Sequence, residues 1–115
     1  MQCISIMKGN NNTIMIGKTT VSSKKDAENI VRKLLESNLI ACGEIEGPVS
    51  TIYRWKEKIV EDKEWRVTVK FPKNVDPKIQ KEVTKIHPYE LPQWINWEVE
   101  TSQDFKTWVS SKASP

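Results

Sequence analysis

The chain of 115 residues carries a formal net charge of +3, is 37% hydrophobic and contains five tryptophans. This length is typical of one domain, and the interleaved charges disfavour a dedicated nucleic-acid-binding protein, which concentrates Lys and Arg on one surface. No apolar stretch is long enough for a membrane span and residues 1–9 lack the apolar run of a signal peptide, so we expect a cytosolic protein. The two cysteines, Cys3 and Cys42, form no CxxC pair, which excludes a disulfide scaffold and disfavours a structural zinc site.

The first third of the chain predicts a polar start, a strand and an amphipathic helix. The polar tract before Thr13 predicts a flexible N-terminal segment over residues 1–12, followed by a single domain over residues 13–113. Alternation from Thr13 to Lys18 predicts a short strand. Ser22 or Ser23 then serves as N-cap of a helix with one apolar stripe, formed by Ala27, Ile30, Val31, Leu34 and Leu35.

A long β-hairpin is predicted next. One strand opens at Leu39–Cys42 and runs to Trp55, with a bulge or bend at Gly47-Pro48. Glu57-Lys58 is expected to form the turn, although it lacks Asn-Gly chemistry. The return strand alternates apolar with polar residues, the apolar ones being Trp65, Val67, Val69 and Phe71. Two long strands with bulky aromatic side chains indicate a hairpin that reaches beyond the domain body.

The last third predicts a second helix, a fourth strand and a short final helix. Asp76-Pro77 combines a capping carboxylate with proline at the first helical position, and His87-Pro88 ends that helix because a residue before proline avoids the helical region. Residues 89–92 form an extended connector pinned by prolines. Apolar residues alternate with polar ones in the fourth strand, the apolar ones being Ile95, Trp97 and Val99.

The order of these elements predicts an α+β fold of the ferredoxin-like βαββαβ type, with a long hairpin between the second and third strands and a short C-terminal helix. Helices are expected to cover one face of the sheet. The other face carries aromatic and aliphatic residues beside charges, and such a face is a contact surface. The lean apolar content, concentrated in tryptophan, indicates a core that is partly shared between copies of the chain.

Few residues are candidates for chemistry. His87 is the only histidine, and at a helix end it suits a metal ligand, an acid–base group or a hydrogen-bonded structural residue. Cys42 begins an apolar strand, where free cysteine usually packs as a small hydrophobe. Glu61, Asp62 and Glu64 lie close together, as expected of a solvated strand end. The sequence has no glycine-rich phosphate loop and no local Ser/His/Asp signature.

Two stretches carry a resemblance to a known family. The first joins Leu39–Cys42 to the hairpin residues 53–59 (YRWKEKI) and to Lys70, and the second is HPYELP at His87–Pro92. In this order and spacing they resemble the CutA family of divalent-cation tolerance proteins. The resemblance implies a ferredoxin-like subunit, similar to PII signalling proteins, in a homotrimer whose hairpins pair across subunits. It brings no enzymatic activity and implies a role in tolerance of copper and other divalent ions.

The resemblance also bears on a metal site. Copper binding in bacterial members is associated with a cysteine at the end of the first strand and with an adjacent histidine pair. The matching positions here are Thr19, Ile86 and His87, so only His87 remains as a metal ligand. Weak copper binding is expected, because the thiolate that selects copper is missing. The family usually has glycine at the position of Glu57.

Five further residues of the family pattern are predicted to line a cleft between subunits or to anchor the trimer; they are Tyr53, Trp55, Lys70, Tyr89 and Glu90. Together with His87 they supply a lysine cation, phenol and indole donors and an imidazole, which suit an anion or a small polar ligand. Contacts between subunits are also expected at the tryptophans of the hairpin and last strand, namely Trp55, Trp65, Trp94 and Trp97.

Two other functions stay open at this point. RNA-recognition domains share the βαββαβ order and bind through exposed sheet aromatics, although Val67–Phe71 lacks their glycine-rich aromatic motif. A small enzyme using His87 and a carboxylate at a subunit interface is the other alternative. The favoured prediction is a cytosolic, non-enzymatic homotrimer that binds a divalent metal or a small polar ligand and acts in divalent-cation tolerance.

Overall fold

The computed structural model of the chain describes residues 11–114, which contain four strands and three α-helices. In chain order the elements are β1 (Thr13–Val21), α1 (Lys24–Glu36), β2 (Cys42–Trp55), β3 (Lys58–Phe71), α2 (Asp76–Ile86), β4 (Ile95–Glu100) and α3 (Gln103–Lys112). The strands form one antiparallel sheet in the order β2-β3-β1-β4. The predicted ferredoxin-like α+β subunit is therefore confirmed.

The N-terminal predictions are only partly within the described residues. Cys3 and the first ten residues of the predicted flexible segment lie outside them. Asn11 and Asn12 lie beside the last helix and the residues that precede it. Lys106 Nζ donates to the Asn11 carbonyl at 3.0 Å, and the Thr101 N–H donates to the Asn12 carbonyl at 2.9 Å.

The first helix forms as the sequence predicts. Ser23 is its N-cap, and the Ser23 hydroxyl accepts a hydrogen bond from the Asp26 N–H at 3.0 Å. The strand predicted to open at Leu39 begins only at Cys42. The reason is the helix end: Asn38 adopts a φ of 59°, and the Leu39 N–H still donates to the Leu34 carbonyl. The chain then runs buried from the helix to the sheet.

The hairpin of β2 and β3 pairs continuously from the sheet to its tip, apart from a register shift between Glu46 and Val49. The irregularity predicted at Gly47-Pro48 is thereby confirmed. Each strand has 14 residues and is about 46 Å long at the usual rise per residue. The turn consists of Lys56 and Glu57, one residue earlier than predicted, with φ values of 50° and 65°. Two positive φ values are typical of the type I′ turn that joins two-residue hairpins.

Replacing Glu57 with glycine is expected to raise the free energy of unfolding by about 1 kcal/mol, because glycine adopts a positive φ without the steric cost that other residues meet. Urea unfolding at fixed protein concentration measures the change. Glu61→Gly on β3 is the matched control, and it is expected to lower stability because glycine weakens a strand interior. A destabilised Glu57→Gly variant would contradict the turn geometry.

One face of the sheet carries the main core under α1 and α2. Inward-facing strand residues meet the apolar stripes of both helices; the fully buried ones include Val21, Val67, Val69, Phe71, Ile30, Leu34, Ile79 and Val83. Trp65 and Trp94 pack against this core from its edge. The other two predicted contact tryptophans, Trp55 and Trp97, are 50% and 41% exposed.

The opposite face of the sheet is covered only in part. The final helix, α3, brings Val109 against Ile14 and Ala41 in a smaller core. Farther along the same face, Ile95 and Trp97 on β4 remain 52% and 41% exposed. An apolar area of this kind on a subunit surface is typical of a contact surface.

The second helix begins at Asp76, one residue before the predicted first helical position at Pro77, and the Asp76 carboxylate is not a cap. The N-cap residue is Val75, which makes no capping hydrogen bond through its side chain. Asp76 Oδ1 instead accepts from Asn96 Nδ2 at 2.8 Å, so the predicted carboxylate cap is wrong, and the side chain connects α2 to β4. The helix ends at Ile86 because Pro88 keeps His87 in an extended conformation. No helix within residues 11–114 is long and apolar enough to cross a membrane.

Candidate ligand-binding cleft

A cavity of about 650 Å³ lies where the hairpin meets the connector between α2 and β4. This volume is in the range of small-molecule sites. The hairpin contributes three β2 residues and three β3 residues, and the connector and the end of β1 form the remaining wall. The polar and aromatic side chains of the lining include Tyr53, Trp55, Asp62, Lys63, Glu64, Tyr89 and Glu90.

Strand pairing brings the hairpin side chains of the cavity together. Thr51 pairs with Asp62 and Tyr53 pairs with Val60, so alternate residues of the two strands share one face. Tyr53 Oη donates a hydrogen bond to Asp62 Oδ2. This hydrogen bond is the main cause that raises the pKa of Tyr53, and the phenol therefore remains a protonated donor beside the carboxylate.

A second phenol–carboxylate pair connects the 89–93 connector to the hairpin. Tyr89 Oη donates to Glu64 Oε2 at 2.9 Å, and Glu64 is only 8% exposed. Burial, followed by the hydrogen bond to Glu64, raises the pKa of Tyr89. The pair keeps a carboxylate at the wall of the cavity although it is almost excluded from bulk water.

His87 supports this connector from behind. Its Nδ1 accepts the Tyr89 N–H at 3.0 Å, while Nε2 lies 2.9 Å from Thr19 Oγ1 and 3.0 Å from the Thr20 carbonyl. Because Nδ1 accepts a hydrogen bond, the neutral ring carries its proton on Nε2 and donates toward Thr20. Burial lowers the pKa of His87, so the neutral ring is the stable form at neutral pH.

The donors around His87 do not fit a copper site. Both ring nitrogens take part in hydrogen bonds, and Thr19, at the position of the family's cysteine, offers a buried hydroxyl instead of a thiolate. Within residues 11–114, no three His, Cys, Asp or Glu side chains are grouped so that they could hold a metal ion. A metal ion at His87 stays a prediction, and its binding would require the imidazole to release a hydrogen bond.

Four of the five residues predicted for the cleft line this one cavity: Tyr53, Trp55, Tyr89 and Glu90. Lys70 does not. Its Nζ lies 3.4 Å from Glu44 Oε2 and 5.9 Å from the centre of the Phe105 ring. Its strand partner is Cys42, a half-buried thiol whose pKa burial raises. The lysine on which the prediction of an anion depended is therefore not part of the cavity.

Sequence reasoning missed two of the three carboxylates of the cavity, those of Asp62 and Glu64. Asp62 and Glu64 were interpreted as a solvated strand end, but Glu64 is 8% exposed and accepts a hydrogen bond from Tyr89, 25 positions away. No local pattern distinguishes Glu64 from exposed neighbours such as Glu61. The lining residues Thr20, Ser22 and Gln93 likewise have no sequence signal for a ligand site.

The fold and the cavity define a ferredoxin-like subunit with a long hairpin beside a candidate ligand cleft. Residues 15–112 match the family described as CutA1 divalent ion tolerance protein. The divalent-cation tolerance protein CutA of Thermus thermophilus is 33% identical over 91 residues, which cover 78% of this chain and 88% of that protein. Its namesake in Thermotoga maritima is 35% identical over 92 residues, covering 79% and 90%.

Solved structures of CutA proteins have the same fold as this chain. The structure of CutA from Synechococcus elongatus superposes with a TM-score of 0.85 at 25% identity, covering 91% of this chain and 94% of that one. The chain belongs to the CutA1 divalent ion tolerance family.

Proposed function

We propose that this chain forms a homotrimeric, non-enzymatic binding protein that acts in divalent-cation tolerance in the cytoplasm. The observation that carries the proposal is the family match over residues 15–112, together with relatives named divalent-cation tolerance proteins. The cleft supports a binding role, since aromatic side chains and buried hydrogen-bonding groups surround a volume suited to a small molecule.

The contacts of His87 favour binding over catalysis. An acid–base catalyst needs a nitrogen that reaches the substrate, whereas both nitrogens of this single histidine contact the protein itself. The RNA-binding alternative has no supporting observation, because α3 packs on part of the sheet face that RNA-recognition domains leave open.

Exposed apolar side chains support the trimer. Ile52 and Ile59 on the hairpin are 66% and 71% exposed, and Ile95 and Trp97 on β4 are half exposed. Contact with neighbouring subunits would remove these side chains from water, which is favourable.

Light scattering tests the assembly. The expected mass is three times the 13.3 kDa of one chain. Trp97→Glu is expected to lower the mass to that of the monomer at micromolar concentration, because the charge would be buried between subunits. Gln80→Glu, on the exposed face of α2, introduces the same charge and is expected to remain a trimer. A monomeric wild-type chain would contradict the proposed assembly.

A growth assay tests the tolerance role. A host without its own family member is grown with increasing copper sulfate, with the chain or with empty vector, and the chain is expected to restore growth. Equal growth with and without the chain would contradict the tolerance role.

Calorimetric titration with copper(II) tests whether His87 binds the metal directly. Loss of weak binding in His87→Gln would support this ligand, and equal affinity in both proteins would exclude it.

A further inference from the structure

The cleft has an excess of negative charge. Three carboxylates line it, from Asp62, Glu64 and Glu90, against one ammonium group, from Lys63. Lys63 Nζ donates to Ser50 Oγ at 2.8 Å and forms no ion pair with these carboxylates. The ion pairs between residues 11 and 114 join Glu44, Glu46 and Glu98 to other cations. No ion pair among residues 11–114 therefore neutralises these three carboxylates.

Among the three carboxylates, Glu64 gives the strongest indication of a positively charged ligand. It is 92% buried, being 8% exposed, and a buried carboxylate needs hydrogen bonds or a counter-charge to offset lost hydration. Its Oε2 accepts a hydrogen bond from the Tyr89 hydroxyl, which is neutral and brings no counter-charge, and Glu64 lines the cavity wall. A positively charged N–H group in the cavity would supply that counter-charge.

Aromatic and aliphatic side chains form the rest of the wall. Trp55 and Tyr53 are 50% and 37% exposed and line the cavity beside the carboxylates, and Leu91 is 74% exposed. The faces of indole and phenol rings attract cations, and their carbon surface favours an apolar ligand body. A bare metal ion would use neither property, and the described residues hold no group of three metal-ligating side chains.

We infer that the cleft binds a small organic cation, namely a protonated amine carried on an apolar body. This inference rests on the proposed function, in which the cleft is the ligand site, and it adds the ligand class. The sequence led us to expect an anion or a small polar ligand. A cation fits the cavity better, because Lys70 lies outside it and His87 is a neutral hydrogen-bonded residue behind it. The ammonium group contacts Glu64 and Asp62, and the apolar body lies against Trp55.

The test uses two probes of equal size and opposite charge, benzylammonium and benzoate, added to the full chain and followed by the NMR signals of backbone amides and indole N–H groups. Benzylammonium is expected to shift signals of residues around the cleft, Trp55 included, and benzoate is not. Glu64→Gln is expected to weaken benzylammonium binding about tenfold, as for loss of a hydrogen bond to a charged group. Glu90→Gln, an exposed position, is expected to weaken it about twofold.

Glu44→Gln is the control, since it removes the same charge from a residue that pairs with Lys70 outside the cleft, and it is expected to leave the affinity unchanged. Preferential binding of benzoate or inorganic phosphate, shifts outside the cleft, or equal affinity in wild type, Glu64→Gln and Glu90→Gln would overturn the inference. So would binding of zinc or copper ions at the cleft with no effect of benzylammonium.

The failure of this inference can be distinguished from the failure of the proposed function. A trimer that restores growth on copper but does not bind benzylammonium refutes the ligand class and leaves the proposed function in place. A monomer without effect on growth refutes the proposed function.

Discussion

Replacing His87 with alanine is expected to lower the free energy of unfolding by about 3 kcal/mol, because it removes a buried side chain and takes a hydrogen-bond partner from the partly buried Tyr89 N–H and Thr20 carbonyl. The imidazole also fills space beside Tyr89, whose ring centre lies 4.9 Å away. Chemical unfolding at pH 7.5 and fixed protein concentration measures the loss. Gln80→Ala on the exposed side of α2 is the control and is expected to change stability little. A His87→Ala loss no larger than that of the control would contradict the structural role.

The same histidine is expected to make stability depend on pH. Burial lowers its pKa in the folded protein, whereas the unfolded chain binds the proton near pH 6.5. The unfolded state therefore binds more protons below about pH 6.5, and stability falls as the pH drops toward the folded pKa, by at most about 1.4 kcal/mol per pH unit. Above about pH 6.5 the imidazole is neutral in both states, and its contribution to stability no longer depends on pH. The carboxylates of Asp26 and Glu64 act in the opposite direction, and burial outweighs them.

Comparison of variants isolates this effect. His87 is the only histidine of the chain, so His87→Ala is expected to flatten the stability curve below about pH 6.5, while carboxylates contribute alike to both proteins. Unfolding curves collected at several pH values provide the test. Parallel curves for wild type and His87→Ala would show that the histidine does not titrate differently in the folded and unfolded states.

The second large effect is expected at Gly17, in the middle of β1. Gly17 pairs with Val69 on one side and Asn96 on the other, and a Cβ atom there would lie 2.3 Å from Trp94 Cη2 and 3.1 Å from Phe71 Cε1. Phe71 is fully buried and stacks with Trp94, which packs against the core, so an added Cβ has to displace the indole from this stack. Gly17→Ala is expected to cost about 2 kcal/mol through overpacking.

A double-mutant cycle with Trp94 tests the cause of that cost. In a Trp94→Leu background the penalty of Gly17→Ala is expected to fall below about 1 kcal/mol, because the obstructing ring is gone. Trp94 is a suitable partner for the cycle, since its Nε1 is buried without a hydrogen-bond partner among residues 11–114, so removing the indole breaks no hydrogen bond of the described chain. An equal cost of Gly17→Ala in both backgrounds would show that the clash lies elsewhere.

His87, Tyr89 and Glu64 form a chain of contacts from the core to the cleft. The imidazole holds the Tyr89 backbone, and the Tyr89 hydroxyl holds Glu64. The only histidine thus positions the cleft without reaching a ligand itself. His87 therefore supports the cavity wall through Tyr89 and is not itself among the lining residues.

The sequence by itself determined the features that depend on residues close together in the chain, namely the helices, the strands and their order. A serine cap and an apolar stripe define α1, prolines set the start of α2 and the connector that follows it, and strict alternation identifies β3. These signals depend on residues within a few positions of one another. They fixed the order of elements, and with it the ferredoxin-like class, because few topologies accommodate that order.

Only the tertiary structure decided which side chains share the cleft and what charge it has. Lys70 and Tyr53 lie on the same hairpin, yet the paired strands are long enough to place Lys70 beside Glu44 and Phe105, away from the cavity. Glu64 resembles its exposed neighbours in sequence, yet it is buried in the fold and hydrogen-bonded to Tyr89, which follows the far end of α2. Burial and electrostatic environment are sums over contacts between distant parts of the chain, which local sequence patterns do not contain.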